Sequence, residues 1–473
     1  MSRRHFFAEC QLGMGKIALA SLLAKMNGNC AVASTKSFNT SDVGSEKQPH
    51  FTPKAKAVIH LFMGGGPSQL DLFDHKPELT KWEGKPIPPG VIGGQRYAFI
   101  KPDAAAFGPR FKFSKHGKSG IELAEVLPHL GQVVDDLCLI KSVHTNQFNH
   151  APAELLFNTG FFQPGRPSMG SWISYGIGAE ADDLPAYVVL VDGEGSPAGA
   201  PAWGSGFLPS NYGGVLLRGH GDPILHVTNP AGVDDQLQLD TFDLVSALNQ
   251  ERLQVIRDPE ISARIASYEM ACRLQTSAPE LTNLRSEPQS VLDLYGARPE
   301  EPSFGRACLL ARRMVERGVR FVTIYHCGWD AHSDVAGNSR KHCGATDQGS
   351  AALVKDLKMR GMLDETLVVW SGEFGRTPMV ENNPALGRGV GRDHHPQAFT
   401  VWMAGGGIKA GITYGATDEL GFNIVQNAVH VHDLQATILN QLGLDHERLT
   451  YRNAGRDFRL TDVFGNVVTD LIA

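Results

Sequence analysis

The chain has 473 residues, of which 42% are apolar and 20% charged, and its 44 Lys+Arg against 50 Asp+Glu give a formal charge of −6. That balance belongs to a folded globular protein rather than a disordered one, and the length allows about three domains or one large α/β domain. No cationic run offers a nucleic-acid footprint, and no stretch of 18 apolar residues is available for a membrane span.

The chain opens on Ser2-Arg3-Arg4-His5-Phe6-Phe7, continues through a short apolar run from Ile17 to Leu23, and reaches the small-x-small sequence Ala31-Val32-Ala33. This pattern resembles a bacterial twin-arginine export signal. The resemblance implies a leader over residues 1–33 that engages the twin-arginine export machinery, and a periplasmic or secreted mature protein. The plainer alternative is a basic amphipathic N-terminus. The polar stretch 34–54 reads as a linker to a domain over 55–473. Removal of the leader takes Cys10 and Cys30 with it; the five remaining cysteines have no CxxC spacing, which argues against a disulfide framework or zinc ribbon and leaves room for one disulfide.

Buried strands are expected at Ala57–Met63, Leu137–Val143 and Ala186–Val191, since none shows clean polar alternation. The second runs into His144 and a helix beginning near Ala151. Residues 195–300 read as an elaboration on the main domain, Gly/Pro/Ser-rich at first and helical from Glu260 to Leu274. Ser303 is placed to cap a helix carrying Phe304, Cys308, Leu309 and Val315, with Gly318 ending it. A strand over Val319–Tyr325 follows, then a helix capped by Thr346 and closed by Gly361. Further strands are expected at Thr366–Trp370 and Ala398–Met403. Strands and helices alternating with short connections predict an α/β sandwich, a largely parallel sheet covered by helices on both faces.

Ligands of such sheets sit beyond the carboxyl ends of the strands. At those ends stand Gly64-Gly65-Gly66 with Ser68 and Asp71, His326 to Asp334, and Ser371 to Thr377; Gly391 to Pro396 stands just before a strand. Mixed carboxylate and imidazole groups suit Zn, Mn or Fe, and an all-oxygen subset suits Mg or Ca. Taken singly, each motif also has an ordinary role as a turn residue, helix cap or surface ion pair.

Five segments carry a closer resemblance: GGGPSQLDLFDHKP from Gly64, FNHAPAELLFNTG from Phe148, GWDAHSD from Gly328, SGEFGRTP from Ser371 and GRDHHP from Gly391. They are similar to the exported domain-of-unknown-function family 1501, over residues 57–470, and through it to the alkaline-phosphatase-like superfamily. Asp347–Gly375, His394 with Gly405, and His432–Leu439 resemble segments of alkaline phosphatases and sulfatases. The resemblance implies an alkaline-phosphatase-like three-layer sandwich holding one or two divalent ions (Zn, Mn, Mg or Ca) that polarise a phosphate or sulfate ester. A sulfated or phosphorylated saccharide would be one such substrate. Carried over by position, Asp330, His332, Glu373 and His394 become metal ligands. Asp71 replaces the superfamily's first-strand Asp with Asp74 in reserve, and His395 or His326 compensates for the His that Phe374 displaces. His150 stands in the nucleophile slot as nucleophile, base or ligand, with His144 and Asn149 nearby, and no Cys is followed by x-Pro-x-Arg. Arg376 and Arg392 are candidate anion holders or partners of Glu373 and Asp393. The rival reading is a non-catalytic secreted binding module on the same fold; a phosphomutase-like transferase is a third.

Overall fold

The computed structural model describes residues 48–93, 99–101, 103–218, 232–256, 259–383 and 387–473. The expected leader 1–33 and residues 34–47 of the linker lie outside the described residues. Residues 48–54 form no helix or strand and hydrogen-bond to the Gln441–Gly443 turn.

In chain order the elements that position the site are β1 (Ala57–Gly64), β2 (Leu137–His144), α1 (His150–Thr159), α2 (Met169–Ile177), β3 (Tyr187–Asp192) and β4 (Val215–Leu217). The helices α3 (Asp235–Ile256), α4 (Pro259–Thr282) and α5 (Phe304–Glu316) precede β5 (Phe321–Cys327) and α6 (Val335–Met359). Strands β6 (Thr366–Ser371), β7 (Gly375–Asn383), β8 (Arg388–His395), β9 (Phe399–Ala404), β10 (Ile412–Tyr414) and β11 (Val429–His430) lead into α7 (Val431–Gln441). Nine strands form one sheet in the order β10-β2-β9-β6-β1-β5-β3-β4, with β11 beside β2. Every pairing in it is parallel except those of β9, which runs antiparallel to β2 and β6.

The three layers follow from the β1 sequence AVIHLFMG, buried at every position. Successive side chains of a strand point to opposite faces. Ile59, Leu61 and Met63 therefore join one core with Leu309 and Met314 of α5 and Leu353 and Leu357 of α6. Val58 and Phe62 join the other core with Trp172 and Ile173 of α2 and Leu434 and Ile438 of α7. His60 shares that second face, stacked on Phe157 at 5.5 Å with Nε2 2.8 Å from Ser371 Oγ, and burial lowers its pKa to about 3. Leu274 and Leu281 of α4 belong to the first core, so this part of the elaboration shares the main core.

Two local expectations change. Asp334 caps α6, its carboxylate accepting from Gly337 N at 3.0 Å, whereas Thr346 lies inside that helix and donates back to His342 O. The cap falls earlier because the Asp334 carboxylate satisfies a first-turn N–H and the helix runs on from there, its far half buried. The stretches around Arg376 and His394, placed only at the end of one strand and ahead of another, are themselves paired strands, β7 and β8 forming an antiparallel hairpin. Ser303 caps α5 as expected, accepting from Arg306 N.

At the carboxyl end of β1 the chain turns against the loop after β5. A Cβ on Gly65, at φ +113°, would stand 2.5 Å from Asp330 N and 2.7 Å from Trp329 N. Backbone against backbone cannot yield. Gly65→Ala is therefore expected to destabilise the protein by about 2–4 kcal/mol, the sum of a left-handed residue and an overpacked contact, read as a lower urea midpoint at unchanged slope.

Candidate metal centre

Three chain segments deliver four side chains to one edge of the sheet. Asp330 and His332 follow β5 after the turn at Gly328 (φ +105°). His150 is the first residue of α1, just beyond β2. His394 lies near the end of β8, which leads into the antiparallel β9 and so starts at the edge where β6 and β2 finish. Ligand nitrogens of His150, His332 and His394 and an oxygen of Asp330 all lie within 4.8 Å of one another.

The rings are held from behind. His150 Nδ1 lies 2.5 Å from Glu373 Oε1, His332 Nδ1 bonds Glu381 Oε2, and His394 Nδ1 lies 2.7 Å from Phe148 O. An N–H at each Nδ1 satisfies these acceptors, and a neutral ring held in this way carries its lone pair on Nε2. Those three Nε2 atoms face one oxygen, Asp330 Oδ1, at 3.3, 3.0 and 3.4 Å respectively. His150 Nε2 is buried and makes no hydrogen bond there. An imidazole whose Nδ1–H is fixed by a carboxylate or carbonyl, with Nε2 free, is the arrangement in which histidine binds metal. Three such nitrogens and one carboxylate fit a divalent ion of the Zn, Mn or Fe kind. Asp330 is 41% exposed, which leaves the cluster open to solvent on one side.

Charge around this oxygen is concentrated. Burial would raise the Asp330 carboxyl, but the three imidazoles and the Arg376 guanidinium hold it far below the usual carboxylate range. Burial would lower His150, yet Asp330 and Glu373 lift it to about 9; His332 is raised by Asp330 and Glu381 against the same effect. Burial wins at His394, which falls to about 3. Behind Glu373, which also accepts from Gly65 N at 2.9 Å, burial and the Glu373 charge push the Glu154 carboxyl to about 8.

The remaining candidates sit elsewhere. Glu373 contacts His150 rather than joining the four donors. Asp71 is fully buried against Arg392, Oδ2 to Nε 2.7 Å, and accepts from Ser68 Oγ and Arg110 N, so the structure does not bring it to the cluster. Asp74 pairs with Lys76 and Thr417. His395 donates from Nε2 to Phe422 O at 2.7 Å, and His326 is bonded to Asp192 and His342. Arg376, also fully buried, directs Nε to Gly66 O, Nη1 to Arg392 O, and Nη2 to Gly65 O and Asp330, tying the glycine turn to the cluster. His144 lies against His430. The five described cysteines are free, and burial pushes Cys327, beside Gly64, far up as a thiol.

Glu381 and Phe99 escape the sequence reading. Glu381 reaches His332 only because β8 folds back on β7, setting Gly391 opposite Glu381. Phe99 lies edge-on to His332 and His394 at 5.1 and 5.9 Å, its N–H held by Asp393. Nothing in the sequence around either residue signals this.

Fold and cluster thus define an α/β sandwich with a histidine–carboxylate site at the carboxyl edge of its sheet. The chain belongs to the family described as Protein of unknown function (DUF1501), whose model matches residues 55–472. No curated protein matches the sequence. Among solved structures it is similar to the lipoteichoic acid synthase LtaP from Listeria monocytogenes, at 10% identity and TM-score 0.33, covering 87% of this chain and 76% of that one. PsFucS1 sulfatase from Pseudoalteromonas sp. gives 13%, 0.36, 84% and 69%. A protein in the alkaline phosphatase superfamily from Vibrio parahaemolyticus gives 9%, 0.36, 84% and 68%.

Two outcomes follow from the buried groups. Asp71→Asn leaves Arg392 without its counter-charge and should cost about 3–5 kcal/mol in urea unfolding, while the metal content of a folded variant should equal that of the parent. His395 is buried neutral, its pKa lowered by burial from 6.5 to about 4. The unfolded chain takes up a proton that the folded ring refuses, so its contribution is complete above about pH 6.5 and lost progressively toward pH 4, about 3 kcal/mol in all. His395→Gln, which keeps a donor and does not titrate, should flatten that part of a stability-versus-pH curve.

Proposed function

We propose that the protein is an exported, metal-dependent hydrolase of phosphate or sulfate esters, acting in the periplasm or outside the cell. The observation that carries this reading is the convergence of three Nε2 atoms, each anchored through Nδ1, on one oxygen of Asp330. His150, His332, His394 and Asp330 would hold one divalent ion. Such an ion supplies Lewis acidity toward an ester oxygen and favours ionisation of a water nucleophile. Glu373, Glu381 and the Phe148 carbonyl keep the three rings in one tautomer and orientation, and Arg376 holds the Gly65–Gly66 turn against Asp330. In this reading His150 serves as ligand rather than nucleophile, because Glu373 holds its Nδ1 and its Nε2 faces the same Asp330 oxygen as the other two rings. The partly exposed Asp330 marks the side from which an anionic ester enters. The twin-arginine pattern at Arg3-Arg4 is what supports export.

A second reading draws on one observation, the Arg376 Nη2 2.5 Å from the same Asp330 oxygen. With His150 and His332 protonated, the cluster would be a metal-free ion-pair network on a binding module. Elemental analysis of the purified full chain separates the two. The hydrolase reading expects about one equivalent of a divalent metal, lost in Asp330→Ala/His394→Ala, and metal-dependent turnover of aryl phosphates, phosphodiesters or sulfates. A folded parent that refuses Zn, Mn, Fe, Mg and Ca would sink it. Glu381→Gln should weaken metal affinity by about 10–100-fold without removing a ligand, measured by competition with a chromogenic chelator.

A further inference from the structure

We propose that Arg388, held flat by Phe99, forms a second recognition point at the rim of this site and reads an anionic group that the substrate carries in addition to its reacting ester. The proposal rests on the ester-hydrolase reading above and names the substrate class: an ester with a second negative charge.

Three arginines lie on the β7–β8 hairpin, and among the described residues only one retains donors for a ligand. Arg376 is enclosed by carbonyls and Asp330. Arg392, equally buried, is saturated by Asp71 and the carbonyls of Phe107, Gly108 and Thr377. Arg388 makes one hydrogen bond among the described residues, Nη1 to Glu381 Oε1 at 2.7 Å, and its side chain is 23% exposed. Nε and Nη2 have no hydrogen-bond partner among the described residues. A guanidinium with free donors in a fixed plane is suited to the paired oxygens of a sulfate, phosphate or carboxylate.

The plane is fixed by Phe99. The Arg388 guanidinium lies 4.0 Å over the centroid of that ring, a cation–π contact. Phe99 is in turn pinned by its N–H to Asp393 and lies edge-on to His332 and His394. Position decides which group Arg388 can read. Glu381 binds His332 through Nδ1 and Arg388 through its other oxygen. The guanidinium therefore stands behind the imidazole, on the side away from Nε2 and Asp330, where the reacting ester would lie. It cannot hold that ester; it can hold a neighbouring anion on the same molecule. Phe99 is a positioning residue in this scheme.

The test measures binding, so that its result is independent of turnover. Naphthalene-2,6-disulfonate and naphthalene-2-sulfonate, neither of which is hydrolysed, are titrated into the full chain as isolated with its retained metal, by calorimetry at low salt. The parent should bind the disulfonate about tenfold more tightly, the effect of one added charge-assisted contact, and added NaCl should shrink the preference. Arg388→Met should abolish the preference of disulfonate over monosulfonate, Arg388→Lys should keep part of it, and Phe99→Leu should reduce it. Equal binding of the two anions by the parent, or a preference that survives Arg388→Met, would overturn the proposal. Should Arg388→Met fail to fold, Arg388→Lys and Phe99→Leu carry the same comparison. Absence of metal and turnover with the preference intact counts against the hydrolase reading and leaves the Arg388 contact standing.

Discussion

The site depends on one constraint: three imidazoles and a guanidinium converge on a single oxygen of Asp330. Positive or lone-pair-bearing groups crowd together this closely only where a fixed negative charge or a cation holds them, since unpaired buried polar groups are costly. The outer bonds to Glu373, Glu381 and the Phe148 carbonyl settle which nitrogen of each ring faces inward. Without them the rings would be free to turn, and the cluster would have no common centre. The acids that anchor the rings thus shape the site as much as the residues that face it.

The sheet supplies the frame. Because β1, β5 and β6 are parallel neighbours buried on both faces, their carboxyl ends open on one edge, and the loops leaving them meet there. The antiparallel β9 brings the β7–β8 hairpin to the same edge from the opposite chain direction. That hairpin is the source of Arg376, Glu381, Arg388 and His394, so a single supersecondary unit contributes a ligand, a ring anchor and both arginines that touch the cluster's acids. The glycine turn after β1 completes the frame, since only a residue without Cβ lets the backbone lie against Trp329 and Asp330.

The arginines show how tertiary placement reassigns a residue type. Arg376 and Arg392 look, in the sequence, like anion holders beside acidic motifs. In the fold both are enclosed by carbonyl oxygens, which satisfy their donors and make them clamps. Arg388, with nothing in its neighbourhood to mark it, bonds Glu381 through one nitrogen and has no other hydrogen-bond partner among the described residues. Asp71 changes role similarly: its carboxylate neutralises buried Arg392 under the site, a requirement of low dielectric that a reading of the GGGPSQLD motif cannot anticipate.

Much of this protein was legible from its residues alone. Unbroken apolar runs such as AVIHLFM required strands covered on both faces, and their alternation with helices required a largely parallel sheet whose carboxyl edge carries the chemistry. Histidine and carboxylate motifs at those strand ends marked Asp330, His332 and His394, and a family resemblance marked His150, but the same reading also gathered Asp71, Glu373 and His395, which the fold places outside the four-donor cluster. What only the tertiary structure decided was each group's partner. Glu381 and Phe99 reach the imidazoles through the register of a hairpin and a contact spanning hundreds of residues, and Asp71 is drawn away by an arginine equally distant in sequence. Periodicity follows from local geometry, which neighbouring residues encode; hydrogen-bond partnership follows from proximity in space, which they do not.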